Sequence, residues 1–220
     1  MYKHNLVLSF VACLFLSVLA THATTHAGLV VEFDTSVGTF EVELYDTQKP
    51  ISVANFLAYA NSGLYDNTII HRSVDDFVIQ GGGYYPSGNA VATFGPIIDE
   101  IGFSNVRGTL AYANIGSPNT NVNQWFFNVE DNLFLDNAFT VFGRVLGNGM
   151  NIVDQINGLP LVNAGGPFNE LPVTDPNAPL YASNLVVVHS ITAIPEPGSL
   201  MLQLAGLTGV ASRYRARRKN

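Results

Sequence analysis

The sequence predicts a mainly β domain, a closed or nearly closed barrel with helical caps, and three observations carry that prediction. Short apolar runs, several of them alternating, recur between Gly-, Asn- and Pro-rich turns. Only two stretches carry helix start and stop signals. All of these lie in a body of about 165 residues, a length that one core can serve, between two ends of quite different composition.

The elements follow in order. Residues 30–34 and 39–45 flank Thr35-Ser36-Val37-Gly38, and Phe40, Val42 and Leu44 alternate with Glu41, Glu43 and Tyr45. That is the period of a half-buried strand pair around a tight turn. Pro50 then opens the stretch 51–60, which Asn61-Ser62-Gly63 closes, so one helix is expected there. Strands are expected at 68–72, 76–80, 109–113, 124–128, 139–144 and 185–191, and a second short helix at 150–156, ended by Asn157-Gly158. No internal repeat is visible.

The two ends read as addresses. Lys3 precedes an apolar stretch from Leu6 to Ala20, followed by small and polar residues. This predicts a secretory signal peptide over 1–27, cleaved after Ala23 or Ala27, with an uncleaved anchor as the competing reading. At the other end Pro195-Glu196-Pro197 is followed by a short apolar stretch interrupted by Gln203, Gly206, Thr208 and Gly209, and then by Arg213, Arg215, Arg217, Arg218 and Lys219. The apolar part is shorter than the ~20 residues that span hydrocarbon comfortably, though the basic end would hold it on the cytoplasmic side. This tail, 194–220, resembles the PEP-CTERM sorting signal. The resemblance implies handling by signal peptidase and an exosortase-type machinery, transient membrane anchoring, and export to the periplasm, cell surface or extracellular matrix of a Gram-negative bacterium. A plain C-terminal anchor is the alternative.

Charge narrows the function of the remaining body, 28–193. Of ten Lys and Arg in the chain, Lys3 and the five of the tail lie outside it, leaving Lys49, Arg72, Arg107 and Arg144. Of seventeen Asp and Glu only Glu196 lies outside, so the body carries sixteen acids and a formal charge of −12. Such a body repels phosphate backbones, and a nucleic-acid partner is not expected. The single cysteine, Cys13, falls in the leader, which excludes a disulfide scaffold and makes the mature body indifferent to redox conditions.

Several chemistries can be set aside on residue grounds. Gly81-Gly82-Gly83 lacks the Gly-Lys-Ser/Thr sequel of a phosphate loop and reads as a strand-end turn. His71 and His189 have no metal-ligand spacing, so no metal site and no cofactor is expected. Ser73 lies near His71 without a nucleophile elbow, which argues against serine hydrolysis. What remains is the run from Thr68 to Gly82, where Arg72 stands among apolar residues with the amide of Gln80 nearby. Alternation would place Phe77 and Ile79 on one face of their strand and Gln80 on the other. Taken alone, the aromatics of this run and of 124–127 and 134–142 read more readily as core than as pocket, and Arg72 as an ion-pair partner.

The order His71-Arg72, Phe77-Val78-Ile79-Gln80-Gly81-Gly82, Ala113-Asn114, Pro118-Asn119-Thr120-Asn121, Gln124-Trp125-Phe126-Phe127, Leu135-Asp136 and Val141-Phe142-Gly143-Arg144-Val145 closely resembles the cyclophilin family of peptidyl-prolyl cis-trans isomerases. The resemblance spans about Val30 to Ile191 and implies a closed eight-stranded antiparallel barrel capped by two helices. It implies that Arg72 is the catalytic arginine, with Phe77 and Gln80 beside it. By the same resemblance Phe77, Val78, Phe126, Leu135 and Phe139 wall the pocket for the proline ring, while Gln80, Ala113, Asn114 and Gln124 hold the peptide backbone. Val78 stands where many members have Met. Phe134 stands where many have the Trp that binds cyclosporin, and Phe139 replaces a His; both count against tight inhibitor binding. The implied activity is isomerisation of X–Pro bonds in exported polypeptides, with proline-containing chains as partners. A catalytically inactive proline-peptide binding module or extracellular matrix protein is the rival from another class.

Overall fold

The computed structural model describes residues 28–195. The leader 1–27 and the tail from Glu196 onward lie outside the described residues. The chain opens with the hairpin β1 (Leu29–Thr35) and β2 (Thr39–Leu44), in which Val31 pairs with Val42 and Phe33 with Phe40. The helix α1 (Pro50–Asn61) follows, with Pro50 in its first turn. No side chain next to it in sequence caps it; the Glu100 carboxylate accepts from the Ser52 N–H at 2.7 Å and the Ile51 N–H at 3.3 Å. A distant anion thus satisfies the open N–H groups at the positive end of the helix. Lys49 donates to the carbonyls of Glu100 and Ile101, tying the same loop down.

The remaining strands are β3 (Thr68–Ile69), β4 (Arg72–Val74), β5 (Val78–Gly81), β6 (Thr109–Tyr112), β7 (Trp125–Asn128), β8 (Val141–Val145), β9 (Leu161–Val162), β10 (Leu171–Pro172) and β11 (Val187–Ile194). The second helix, α2, runs Met150–Asn157. One curled antiparallel sheet has the order β3-β11-β1-β2-β8-β6-β7-β5-β4; β9 and β10 form a separate pair.

The sheet has nine strands where eight were expected, and the extra one has a simple origin. Its two edges, β3 and β4, replace the single stretch expected at 68–72: Ile70 and His71 interrupt it, and β4 carries it on to Val74. Across that gap the Ile70 N–H bonds Val186 O on the β11 side and the His71 N–H bonds Gln80 O on the β5 side. One chain segment therefore changes partner mid-course and joins the two edges of the curled sheet. A second difference lies in β11, which begins at Val187 and runs three residues past the expected end.

The pleat divides the side chains between two environments. Inward residues form the main core, where Phe33 stacks on Phe40 at 5.1 Å and meets Trp125 and Phe127 edge-on at 5.3 Å each. Phe56 of α1 and Val153 and Ile156 of α2 close this core from outside the sheet. Gly81 and Gly82 lie hard against it: a Cβ on Gly81 would sit 2.6 Å from the Trp125 ring, and Gly82 holds φ +79°. The triple glycine is thus a strand end that must approach an indole closely. The outward residues Val78, Ala111, Phe126, Leu135 and Val141 make a second, smaller cluster on the outer face, and the candidate site is built on it.

Candidate active site

A single cross-strand row organises the site. Arg72 of β4 pairs with Gln80 of β5, Gln80 with Phe126 of β7, Phe126 with Ala111 of β6, and Ala111 with Val141 of β8. Directly paired residues point to the same face about 5 Å apart, so five strands deliver one cation, one amide and an apolar floor in line. The loops supply the walls. Phe77 precedes β5, Leu135 sits in a 3-10 turn (Leu133–Leu135), and Phe139 meets Phe126 edge-on at 5.7 Å.

These groups surround a cavity of about 200 Å³ lined by Arg72, Phe77, Val78, Gln80, Ala113, Asn114, Phe126, Leu135 and Phe139. All nine were singled out in the sequence. The other two stand at its margins. Gln124 lines an adjoining cavity of about 250 Å³ and accepts a 2.8 Å hydrogen bond from Gln80 Nε2. Phe134 is 74% exposed and stacks on Phe77 at 5.6 Å, so it extends the rim rather than the floor.

The expected face of Phe77 is corrected. Phe77 does not share a face with Ile79: Ile79 is in the main core, while Phe77 packs against the outer cluster with Val78. The cause is Asp76, whose φ of +52° makes a turn just before β5 begins at Val78, so strand alternation does not extend back to Phe77. The Asn114 side chain is likewise occupied within the protein, its Nδ2 donating to Ala138 O at 2.8 Å and its Oδ1 accepting from Gly116 N–H at 2.9 Å. That bond holds the segment leading to Phe139. The N–H and C=O of Asn114 itself make no hydrogen bond among the described residues, which leaves backbone groups open beside the cavity.

The family model for cyclophilin type peptidyl-prolyl cis-trans isomerases matches residues 30–177. The chain belongs to this family. It is 40% identical over 154 residues to a peptidyl-prolyl cis-trans isomerase of Acinetobacter baylyi, covering 67% of this chain and 80% of that one. Against peptidyl-prolyl cis-trans isomerase B of Escherichia coli it is 36% identical over 173 residues, covering 74% of this chain and 98% of the other. Among solved structures, a cyclophilin type isomerase of Cryptosporidium parvum superposes with a TM-score of 0.61 at 27% identity, over 77% of this chain and 99% of that one. The same protein solved in the presence of the dipeptide Ala-Pro gives 0.62 at 25% identity.

In this cyclophilin every base of the described body is engaged. Arg107 holds Asp154 at 2.7 Å and Arg144 holds Glu43 at 2.6 Å, while Lys49 is spent on backbone carbonyls. Arg72 Nε donates to Glu170 Oε2 at 2.8 Å, a partner 98 residues away that sequence reasoning missed. Its Nη1 and Nη2 make no hydrogen bond among the described residues. Behind it lies His71, buried and with Nδ1 unpartnered. Burial pulls its pKa down to about 4, and the neighbouring Arg72 charge acts in the same direction. His71 is therefore neutral near pH 7 and is no reservoir of charge for the site. Also missed was the asparagine set Asn105, Asn128 and Asn132, all buried under the wall formed by Phe77 and Leu135. Asparagine in loops signals turns, so nothing local marked these three as a network. Among the described residues no group of three or more His, Cys, Asp or Glu could hold a metal ion.

Proposed function

We propose that this cyclophilin accelerates cis-trans isomerisation of X–Pro bonds in exported polypeptides, with Arg72 as the catalytic group. Amide resonance opposes the rotation by roughly 18–20 kcal/mol, so uncatalysed exchange takes about 10–100 s at 25 °C. In the twisted transition state the imide nitrogen regains a localised lone pair. A guanidinium donor aimed at that nitrogen binds the twisted form better than the planar one, which is the differential binding that lowers a barrier. Arginine suits this better than lysine because its fork stays charged and presents donors in a fixed plane.

The observation that carries the reading is the row itself: a guanidinium whose two Nη groups are unengaged among the described residues, beside a largely apolar cavity of about 200 Å³. The ring would occupy the space between Phe126, Leu135 and Phe139, and the open backbone of Asn114 would pair with the extended peptide. Phe77 and Gln80 border the reacting bond. No step needs a covalent intermediate. A protease-coupled assay on a cis-Pro peptide tests this. Arg72→Ala should lower kcat/KM about a hundredfold or more while the protein stays folded, a loss on the scale of removing a transition-state donor. Undiminished turnover in that variant would sink the mechanism and favour a non-catalytic proline-peptide module.

Export is the second part of the proposal, and its support is the sequence of the two ends. Cleavage after Ala23 or Ala27 and removal of the Pro-Glu-Pro tail by an exosortase-type enzyme would deliver a cysteine-free body to the periplasm or cell surface. Mass spectrometry of the protein from its native host reads both termini at once. Intact termini would overturn this part alone.

A further inference from the structure

We propose that Glu170 is a positioning residue for Arg72, fixing the plane of its guanidinium so that the Nη edge is the one offered to substrate. This rests on the reading of Arg72 as the catalytic group. Arg72 belongs to a three-residue strand at the edge of the sheet order, and its side chain is 36% exposed. An arginine in that setting has many rotamers open to it unless something holds it. Gln80, the amide directly across the strand pair, does not; its Nε2 is given to Gln124. Glu170 is the hydrogen-bonding partner of the Arg72 side chain among the described residues, and it takes the Nε–H. Once that edge is occupied, planarity dictates where Nη1 and Nη2 lie.

Glu170 is itself held. Its carbonyl oxygen accepts from the Ser73 N–H at 2.8 Å, so consecutive residues of β4 are bound to the same glutamate, one through the backbone and one through the side chain. The chain that follows is anchored by buried Leu171 and Val173, which pack with Ile69, Leu185 and Val187, and by pairing of Leu171 with Val162. An ordinary surface ion pair joins two mobile side chains; here the acceptor comes from a fixed backbone. The carboxylate also opposes the positive charge on Arg72, so two effects compete. Glu170 is 38% exposed, and at a wet surface the Coulombic part is screened while the direction of the hydrogen bond is not. Orientation is the larger effect, and it matters most in the transition state.

The test uses the full chain, with kcat and KM measured separately for Glu170→Ala, Glu170→Gln and Arg72→Ala, alongside thermal unfolding and the NMR signal of the Arg72 Nε–H. Glu170→Ala should lower kcat about tenfold with KM and unfolding temperature little changed, and should shift the Nε–H signal toward that of a free arginine. Glu170→Gln keeps a neutral acceptor and should retain at least half of the parent kcat. If Arg72→Ala abolishes turnover but Glu170→Ala matches or exceeds the parent, the positioning role is overturned and the Arg72 mechanism stands. A Glu170→Gln loss as deep as that of Glu170→Ala would also overturn it, because charge rather than bonding would then be at work. If Arg72→Ala is itself fully active, both readings fall together.

Discussion

The side-chain amide of Asn132 donates to Phe77 O at 3.0 Å and to Asn128 Oδ1 at 2.9 Å, joining one wall of the cavity to the sheet beneath it. Asn128 passes the connection on to Thr109 Oγ1 at 2.8 Å and Asn105 Oδ1 at 3.2 Å, and the Asn105 N–H bonds Asp136 Oδ1 at 2.7 Å. Phe77 and the turn bearing Phe134 and Leu135 are thereby set against each other by buried polar bonds rather than by packing alone. Asn132→Ala strands the buried Asn128 Oδ1, at about 1–3 kcal/mol, and removes one of two donors from Phe77 O, which keeps the Val129 N–H at 2.9 Å. Urea unfolding of that variant should show a loss of about 1–3 kcal/mol. Its KM for a proline peptide should rise severalfold, since the wall is no longer fixed. An unchanged KM would mean that packing and the Val129 N–H suffice to place Phe77.

Phe134 separates binding from folding. It is 74% exposed and its one aromatic contact among the described residues is the stack on Phe77, so truncation removes little buried surface. Phe134→Ala should change stability by less than about 1 kcal/mol. The same variant should raise KM about threefold with kcat unchanged, because a rim contact serves ground state and transition state alike. Steady-state kinetics with thermal unfolding checks both halves.

What the sequence made legible depended on the range of the signal. The alternation of Phe40, Val42 and Leu44 and the punctuation of Pro50 and Gly63 are local, and β2 and α1 fall where they predict. The strands β9 and β10 have two residues each, too few for any period to register. The partner exchange at Ile70 and His71 is set by β11 and β5, neither of which can be read from residues 68–74. The cavity lining was legible because the family motifs carry its residues in order. Glu170 was not, being one of sixteen acids in the body and 98 residues from the arginine it meets. Long-range polar partners leave no pattern in a single sequence, and Asn105, Asn128 and Asn132 are hidden for the same reason.

The glycine run gives a stability prediction independent of activity. A Cβ on Gly82 would sit 2.6 Å from both Asn123 O and Trp125 Nε1, and its φ of +79° is strained for any L side chain. Neither neighbour can yield cheaply, one being backbone and the other a buried indole. Gly82→Ala should cost about 1–3 kcal/mol in urea unfolding, from overpacking and backbone strain combined. Gly88, also at positive φ but with nothing within 4 Å, should lose less on the same change. Equal losses at the two sites would show that backbone strain alone decides.

His71 supplies the pH prediction. Its pKa falls from the ordinary 6.5 to about 4 in the folded protein, mainly through burial. Above pH 7 neither folded nor unfolded chain protonates it, and it leaves stability unchanged. As pH falls from 6.5 toward 4 the unfolded chain takes up a proton that the folded protein refuses, so stability drops with falling pH in that window. The full effect is on the order of 3 kcal/mol, from about 1.4 kcal/mol per pKa unit. His71→Gln removes this linkage while the carboxylates titrate as before. The stability of the parent minus that of His71→Gln should therefore fall by about 2–3 kcal/mol between pH 7 and pH 4.5. Activity should not follow the same curve, because the cavity lining holds no side chain other than arginine that ionises, and kcat/KM should be flat from pH 6 to 8. A step in kcat/KM between pH 6 and 8 that disappears in His71→Gln would show that His71 titrates in the folded protein far above 4 and takes part in the working site.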